Sequence, residues 1–388
     1  MSRLVDKYAA KMVSAGLADP GAPLIGELDA DLVWNRDDPM CGELEKVFRR
    51  LNINALLFSR PAEPYRSIID YMARNHTDAI YPEDCETRTF LHDLPVIDDF
   101  NTARIVEKLK QRKSVIIKGH GIITYGTVSP EQTYIYFSSV CFAGFVKFFS
   151  DYLAACRKGI VTREQQAVFN GAKNHLDAFQ ENTPALLKGP FHSGTEVRRA
   201  ICEAGRATVG NRLVDSFFGN ISFKLDNTLY ISQTGSSLDE LESCIDPCPL
   251  DEMTCASITA SSEFTAHREM ILRSGINGIL HGHPKFSVIM SMDCVKKDCA
   301  LRGQCHIRCD EKRTVCGVPI VPGEVGTGPH GLCNTLPPAV ADHGAAIVYG
   351  HGLFTVAGTD FNDAFKSMLD IERTCREEYF LRIGQVSK

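Results

Sequence analysis

The chain has 388 residues, more than one domain usually holds, so two domains are expected. Its 44% hydrophobic and 23% charged content is that of a globular protein, and a net charge of −6 offers no basic footprint for nucleic acid or an acidic membrane. Fifteen cysteines without a signal-peptide pattern point to reduced thiols, and the apolar stretches read as too short for a membrane span, so a cytoplasmic location is expected.

In chain order, Met1 to Gly16 mixes charged and apolar residues at helical spacing and reads as an amphipathic helix. Ile53 to Pro61 and Val115 to Gly121 are apolar strand-like runs, the second ending in Gly119-His120-Gly121. Helical spacing from Val146 to Asn182, followed by Thr183-Pro184 and Lys188-Gly189-Pro190, reads as a connector leading into a second domain. The expected division is 1–155, a connector over 156–188, and 189–388.

The second half carries the chemistry. Gly219-Asn220-Ile221-Ser222 opens a predicted hairpin, with strands near 221–225 and 228–232 around an Asp226-Asn227 turn, and Thr234-Gly235-Ser236-Ser237 follows. Ser261-Ser262-Glu263 starts a helical pattern through Phe264, Met270 and Ile271 that Gly275 should cap. Such turns and helix starts offer N–H and O–H donors to phosphate oxygens, although each alone is more often an ordinary turn or cap.

Next comes the apolar run Ile276 to Leu280, then His281-Gly282-His283-Pro284. Histidines two apart on a strand project to one side, and neutral imidazoles are zinc ligands. Taken alone, the pair has an equal chance of being core packing. A second buried run, Ala345 to Tyr349, ends in the glycine-flanked His351. A catalytic zinc wants three protein ligands and a nearby carboxylate; His281, His283, His351 and Glu263 fit that description.

Cys294, Cys299, Cys305, Cys309 and Cys316 cluster just after the histidine motif. Their spacings are not the close pairs of zinc ribbons or ferredoxins, so free thiols are the simpler reading and a second metal or iron–sulfur cluster the alternative.

With these residues in this order, the stretch from about 190 to 385 resembles the class II aldolase/adducin family typified by L-fuculose-1-phosphate aldolase. The likeness rests on Gly219-Asn220, Thr234-Gly235, Ser261-Ser262-Glu263 with His267, His281-Gly282-His283-Pro284 and His351-Gly352. It implies an α/β/α sandwich around a mostly antiparallel sheet and a zinc, or another divalent transition metal, on His281, His283 and His351. It also implies Glu263 as acid/base, and Asn220, Gly235, Ser261 and Ser262 around a substrate phosphate. The cysteine cluster is no part of that pattern.

Ile53 to Pro61 parallels Ile276 to Pro284, 223 positions later, and Gly119-His120-Gly121 parallels Gly350-His351-Gly352 at 231. Two tandem copies are therefore expected. The first copy is worn: Phe58 and Arg60 stand where His281 and His283 stand, and one remaining imidazole, His120, cannot hold a catalytic metal.

The expected function is that of a zinc-dependent aldolase, a carbon–carbon lyase acting on a small phosphorylated keto-sugar or sugar acid through a metal-bound enediolate. A dehydratase, decarboxylase or epimerase of a phosphorylated sugar, a non-catalytic adducin-like binding protein, and a thiol-rich metal or redox sensor are the alternatives. Family resemblance further implies a homo-oligomer whose sites lie between subunits, with the inert half as a built-in neighbour.

Overall fold

The structure, a computed structural model, describes residues 3–178, 181–215, 217–251, 258–296, 298–323 and 326–386. It divides into two compact units, Met1–Gln180 and Glu181–Lys388. The region read as a connector thus falls largely within the first unit, as the end of one helix and the whole of another.

The first unit runs α1 (Leu4–Ser14), β1 (Leu24–Leu28), β2 (Leu32–Trp34), α2 (Cys41–Phe48), β3 (Ala55–Ser59), α3 (Tyr65–Arg74), β4 (Ala79–Ile80) and α4 (Cys85–Leu91). It continues with β5 (Leu94–Ile97), α5 (Thr102–Leu109), β6 (Ser114–Ile117), β7 (Gly121–Gly126), α6 (Pro130–Lys158) and α7 (Arg163–Asp177). The second unit runs α8 (Gly194–Gly210), β8 (Asn220–Leu225), β9 (Thr228–Ser232), β10 (Ile245–Pro249), α9 (Phe264–Ser274), β11 (Gly278–Gly282) and α10 (Lys285–Met292). It ends with β12 (Arg313–Val315), β13 (Val318–Val321), α11 (Leu332–His343), β14 (Ala345–Val348), β15 (Gly352–Ala357) and α12 (Asn362–Val386).

Both units carry the same sheet. The first has strand order β2-β1-β3-β7-β6-β5-β4, and the second β9-β8-β11-β15-β14-β13-β12 with β10 added at the β9 edge. In each, one pair is parallel, β5 with β6 and β13 with β14, and the other pairings are antiparallel. Two tandem α/β copies with mostly antiparallel sheets are what the internal repeat predicted.

Burial explains the layers. On one face of the second sheet, Met270 and Ile271 of α9 and Leu336 and Val340 of α11 pack on Ile279, Ala346, Val348 and Phe354. Helices α8, α10 and α12 supply the remaining contacts with the strands of this unit. The first unit repeats this, with Leu44 and Val47 of α2 and Ile105 and Leu109 of α5 on Leu24, Leu56, Val115 and Ile123.

Register makes the wear in the first copy specific. In the second unit, Asn220, His281 and Phe354 lie side by side on adjacent strands. The corresponding row in the first is Leu24, Phe58 and Ile123. Met40 stands just ahead of α2 where Glu263 stands ahead of α9. The polar Asn220, His281 and Glu263 are thereby replaced by the apolar Leu24, Phe58 and Met40, which pack with the core, where Phe58 meets Phe100 edge-on at 5.7 Å.

One sequence expectation needs correction. Helix α6, at 29 residues, is long and apolar enough to cross a membrane, yet most of it is buried within the first unit. Lys147, Thr133, Ser138 and Ser139 interrupt its apolar residues and hid this length in the sequence. Its aromatic side chains, among them Phe137, Phe145 and Phe149, are core.

Candidate metal centre

The site grows from the crowding of two strand ends. β11 is buried throughout and carries His281, with His283 just beyond its last residue. The turn Tyr349-Gly350-His351 joins β14 to β15, with Gly350 in the left-handed region at φ +58. A side chain at Gly352 would lie 2.5 Å from the Gly282 carbonyl oxygen, 2.7 Å from His281 Cε1 and 2.9 Å from His283 Cδ2. Only glycine lets the two histidine-bearing segments close on each other.

That closure brings the ring nitrogens of His281, His283 and His351 within 4.8 Å of one another. His281 Nε2 and His283 Nε2 are 3.1 Å apart. From the start of α9, Glu263 reaches them, with Oε2 3.5 Å from His281 Nε2 and Oε1 3.1 Å from His351 Nε2. All four side chains are buried, Glu263 to 4% exposure. The structure thus brings together the three histidines and the glutamate that the sequence offered as one site.

Burial determines the protonation states. It pushes His281 down to about 4 and His283 well below the usual histidine range, so both imidazoles are neutral, the ligating form. For Glu263, burial acts to raise the carboxyl, but the imidazoles of His281 and His351 and the Asn220 amide outweigh it and hold the group well below the usual carboxylate range. An anionic carboxylate thus stands beside the uncharged rings of His281 and His283.

This donor set fits a divalent cation. His281 Nδ1–H donates to the Leu353 carbonyl at 3.1 Å, which fixes the tautomer and leaves Nε2 with its lone pair turned inward. His283 Nδ1 is buried without a hydrogen-bond partner, so a hydrogen-bond network alone does not account for the cluster. Rings hold the imidazoles in place: Phe354 stacks on His281 at 3.8 Å and 9°, and Phe218 on His283 at 5.4 Å and 8°. These supports had no signature in the sequence beyond strand alternation for Phe354.

His267 is different. It is fully buried, its Nδ1 lies 2.7 Å from Ser222 Oγ, and burial pushes it down to about 3. It packs edge-on against Phe354 at 6.0 Å, as a neutral residue of the helix–sheet interface.

The residues assigned to phosphate are more dispersed in role. Asn220 Nδ2–H donates to Glu263 Oε2 at 2.7 Å, which ties it to the carboxylate. Thr234 N–H donates to the Thr259 carbonyl and Thr234 Oγ to that of Ala260, both at 3.0 Å, so the turn containing Gly235 is stitched to the approach to α9. Ser261 is buried and its Oγ accepts the Glu263 N–H at 3.3 Å, whereas Ser262 is exposed. The five loop cysteines are all free thiols, and among the described residues the histidine trio is the one group gathered for a metal.

Residues 199–379 match the family model described as Class II Aldolase and Adducin N-terminal domain. Among solved structures, the chain is similar to L-fuculose-1-phosphate aldolase from Thermus thermophilus, at 22% identity over 48% of this chain and 94% of that one, with a TM-score of 0.39. It is also similar to YgbL, a putative aldolase/epimerase/decarboxylase from Klebsiella pneumoniae, at 20% identity over 50% and 100% of the two chains, TM-score 0.40. A sugar-phosphate aldolase from Thermotoga maritima matches at 18% identity over 50% and 97%, TM-score 0.36. No curated protein matches by sequence.

Proposed function

With its second unit belonging to the class II aldolase and adducin family, we propose that this protein is a metal-dependent aldolase that cleaves a carbon–carbon bond in a small phosphorylated keto-sugar or sugar acid. The observation that carries this reading is the convergence of three buried imidazoles with one buried carboxylate, His281, His283, His351 and Glu263. A divalent cation such as zinc, bound there, would supply Lewis-acid polarisation of a carbonyl and a counter-charge for the electrons left on the carbon skeleton.

Glu263 is the group that moves protons. As a resting carboxylate at the start of α9 it accepts a substrate hydroxyl proton and later returns one to carbon. The Asn220 amide on Oε2 orients it. Leu353, through its carbonyl, holds the His281 ring in the ligating tautomer. Ser261 is bonded to the Glu263 N–H, the Gly235 turn is tied to the same helix approach through Thr234, and with Ser262, whose side chain is exposed, they would supply donors for a substrate phosphate.

The test is metal analysis of purified protein together with a screen of ketose 1-phosphates and phosphorylated sugar acids for release of dihydroxyacetone phosphate. One zinc or equivalent divalent metal per chain, lost in His281→Ala and His351→Ala, and cleavage of at least one such substrate are expected. Full metal occupancy in both variants refutes the ligand set. Release of carbon dioxide, or epimerised or dehydrated product, moves the reaction to another class on the same metal. Metal binding with no turnover on any of these substrates supports the adducin-like reading. Equal kcat/KM with and without the phosphate refutes the phosphate role. We further propose a cytoplasmic homo-oligomer, which sedimentation would check.

A further inference from the structure

Helix α10 leaves His283 almost at once, since only Pro284 separates that ligand from Lys285, the first residue of the helix. It has no side-chain cap of its own. The backbone N–H groups of its first turn go instead to a carboxylate from α12: Phe286 N–H donates to Glu372 Oε1 at 2.8 Å, and Ser287 N–H and Oγ–H to Oε2, both at 2.8 Å. At its last turn, Ser291 Oγ–H donates to the Val288 carbonyl at 2.7 Å, so the same oxygen acts as acceptor for the Gly350 N–H at 2.9 Å. Gly350 immediately precedes His351.

One eight-residue helix therefore joins the two ligand-bearing segments, His283 at its start and the His351 turn at its end. Ser287 and Ser291 are wholly buried, so water is not available to replace these bonds. Arg313 of β12 closes the far end, its Nη2 donating to the Ser291 and Asp293 carbonyls at 2.8 and 2.9 Å. The copy that lacks the histidine pair offers an internal comparison. There, α3 follows β3 in the same way, but its Ser67 is bonded to Glu63 four residues earlier, a local cap. The unit with the histidines takes its cap from a distant helix.

We infer that α10 is the strut that sets the spacing of His283 and His351, with Ser291 and Glu372 as its positioning residues. This rests on the metal reading of the trio, and the experiment separates the two. Full-length protein stripped with chelator is titrated with zinc against a chromophoric competitor, and with cobalt to record the visible bands that report ligand geometry. Ser291→Ala should weaken zinc binding by about 10- to 100-fold, the usual effect of losing a group that orients a metal ligand, and should shift the cobalt bands. Glu372→Gln keeps a carbonyl acceptor and should fall between Glu372→Ala and the unaltered protein.

Thr208→Ala removes an equally buried hydroxyl from α8, where Oγ is bonded to the Ala204 carbonyl at 2.7 Å, and should change neither affinity nor spectrum. Unaltered affinity and cobalt bands in Ser291→Ala, even with a lower Tm, overturn the strut. Should Ser291→Ala fail to fold, Glu372→Gln decides by the same two readouts. If the unaltered protein takes up neither metal, the three-histidine reading itself falls and the strut with it.

Discussion

Replacing Asn220 with alanine separates two roles for this residue, carboxylate positioning and phosphate binding. The structure gives it one strong bond, Nδ2–H to Glu263 Oε2 at 2.7 Å, with both partners buried, and leaves Oδ1 buried without a partner. A hydrogen bond to a charged group contributes about 1.5–3 kcal/mol, and removing the unpartnered acceptor gives part of that back, so a net loss of about 2 kcal/mol is expected. For the second unit, a domain of about 200 residues, this corresponds to a drop of about 4–8 °C in its unfolding transition. Calorimetry of chelator-treated protein measures this without substrate. The same variant should lose kcat, because Glu263 is no longer held toward the imidazoles. An unchanged Tm accompanied by a rise in KM alone would show that Asn220 serves the phosphate and would refute the positioning argument.

Glu263→Gln should retain the metal and the fold while losing most turnover, since the amide keeps the shape but cannot carry the proton; a loss of only a few-fold in kcat places the acid/base elsewhere. His120→Ala should leave metal content and activity unchanged, because apolar Leu24, Phe58 and Met40 take the places of Asn220, His281 and Glu263 in the first copy, and a fall in metal content would contradict this. Asp84 provides a pH test. Burial pushes its carboxyl up to about 6 despite bonds from the Thr87 N–H and hydroxyl, so the folded state holds the proton more tightly than the unfolded chain. Its contribution to stability is full below about pH 4 and is lost as pH rises through about 6. Asp84→Asn, which preserves the helix cap, should remove a slope of about 2–3 kcal/mol between those limits, measured as the difference from the unaltered protein. Parallel pH–stability curves would refute it.

Much of the site was legible because its chemistry depends on residue type and local spacing. A strand that ends in His281-Gly282-His283-Pro284, a glycine-flanked His351 and a helix start at Glu263 each announce themselves within a few residues, and strand alternation already puts paired histidines on one side. The internal repeat was equally readable, since 53–61 and 276–284 keep the same apolar strand in both copies. Pairing was not. That Asn220 lies beside His281, and so reaches Glu263, depends on β8 pairing with β11 in one register. The counterparts Leu24 and Met40 in the worn copy became visible only through the matching register of β1 and β3 and the start of α2.

Sequence alone supplied the candidate ligands, the acid/base candidate, the internal repeat and the absence of the histidine pair from one copy, because each is a property of which side chain occupies a strand or helix position. Tertiary structure decided the rest. The neutrality of His281 and His283 comes from burial contributed by many distant residues, and the ring stacking from Phe218 and Phe354, 136 positions apart in the chain. Glu372, 85 residues beyond Ser287, closes the first turn of α10 only because α12 packs against that helix. Long-range hydrogen bonds and desolvation leave no local pattern in a chain; they exist only once the segments that make them have been brought together.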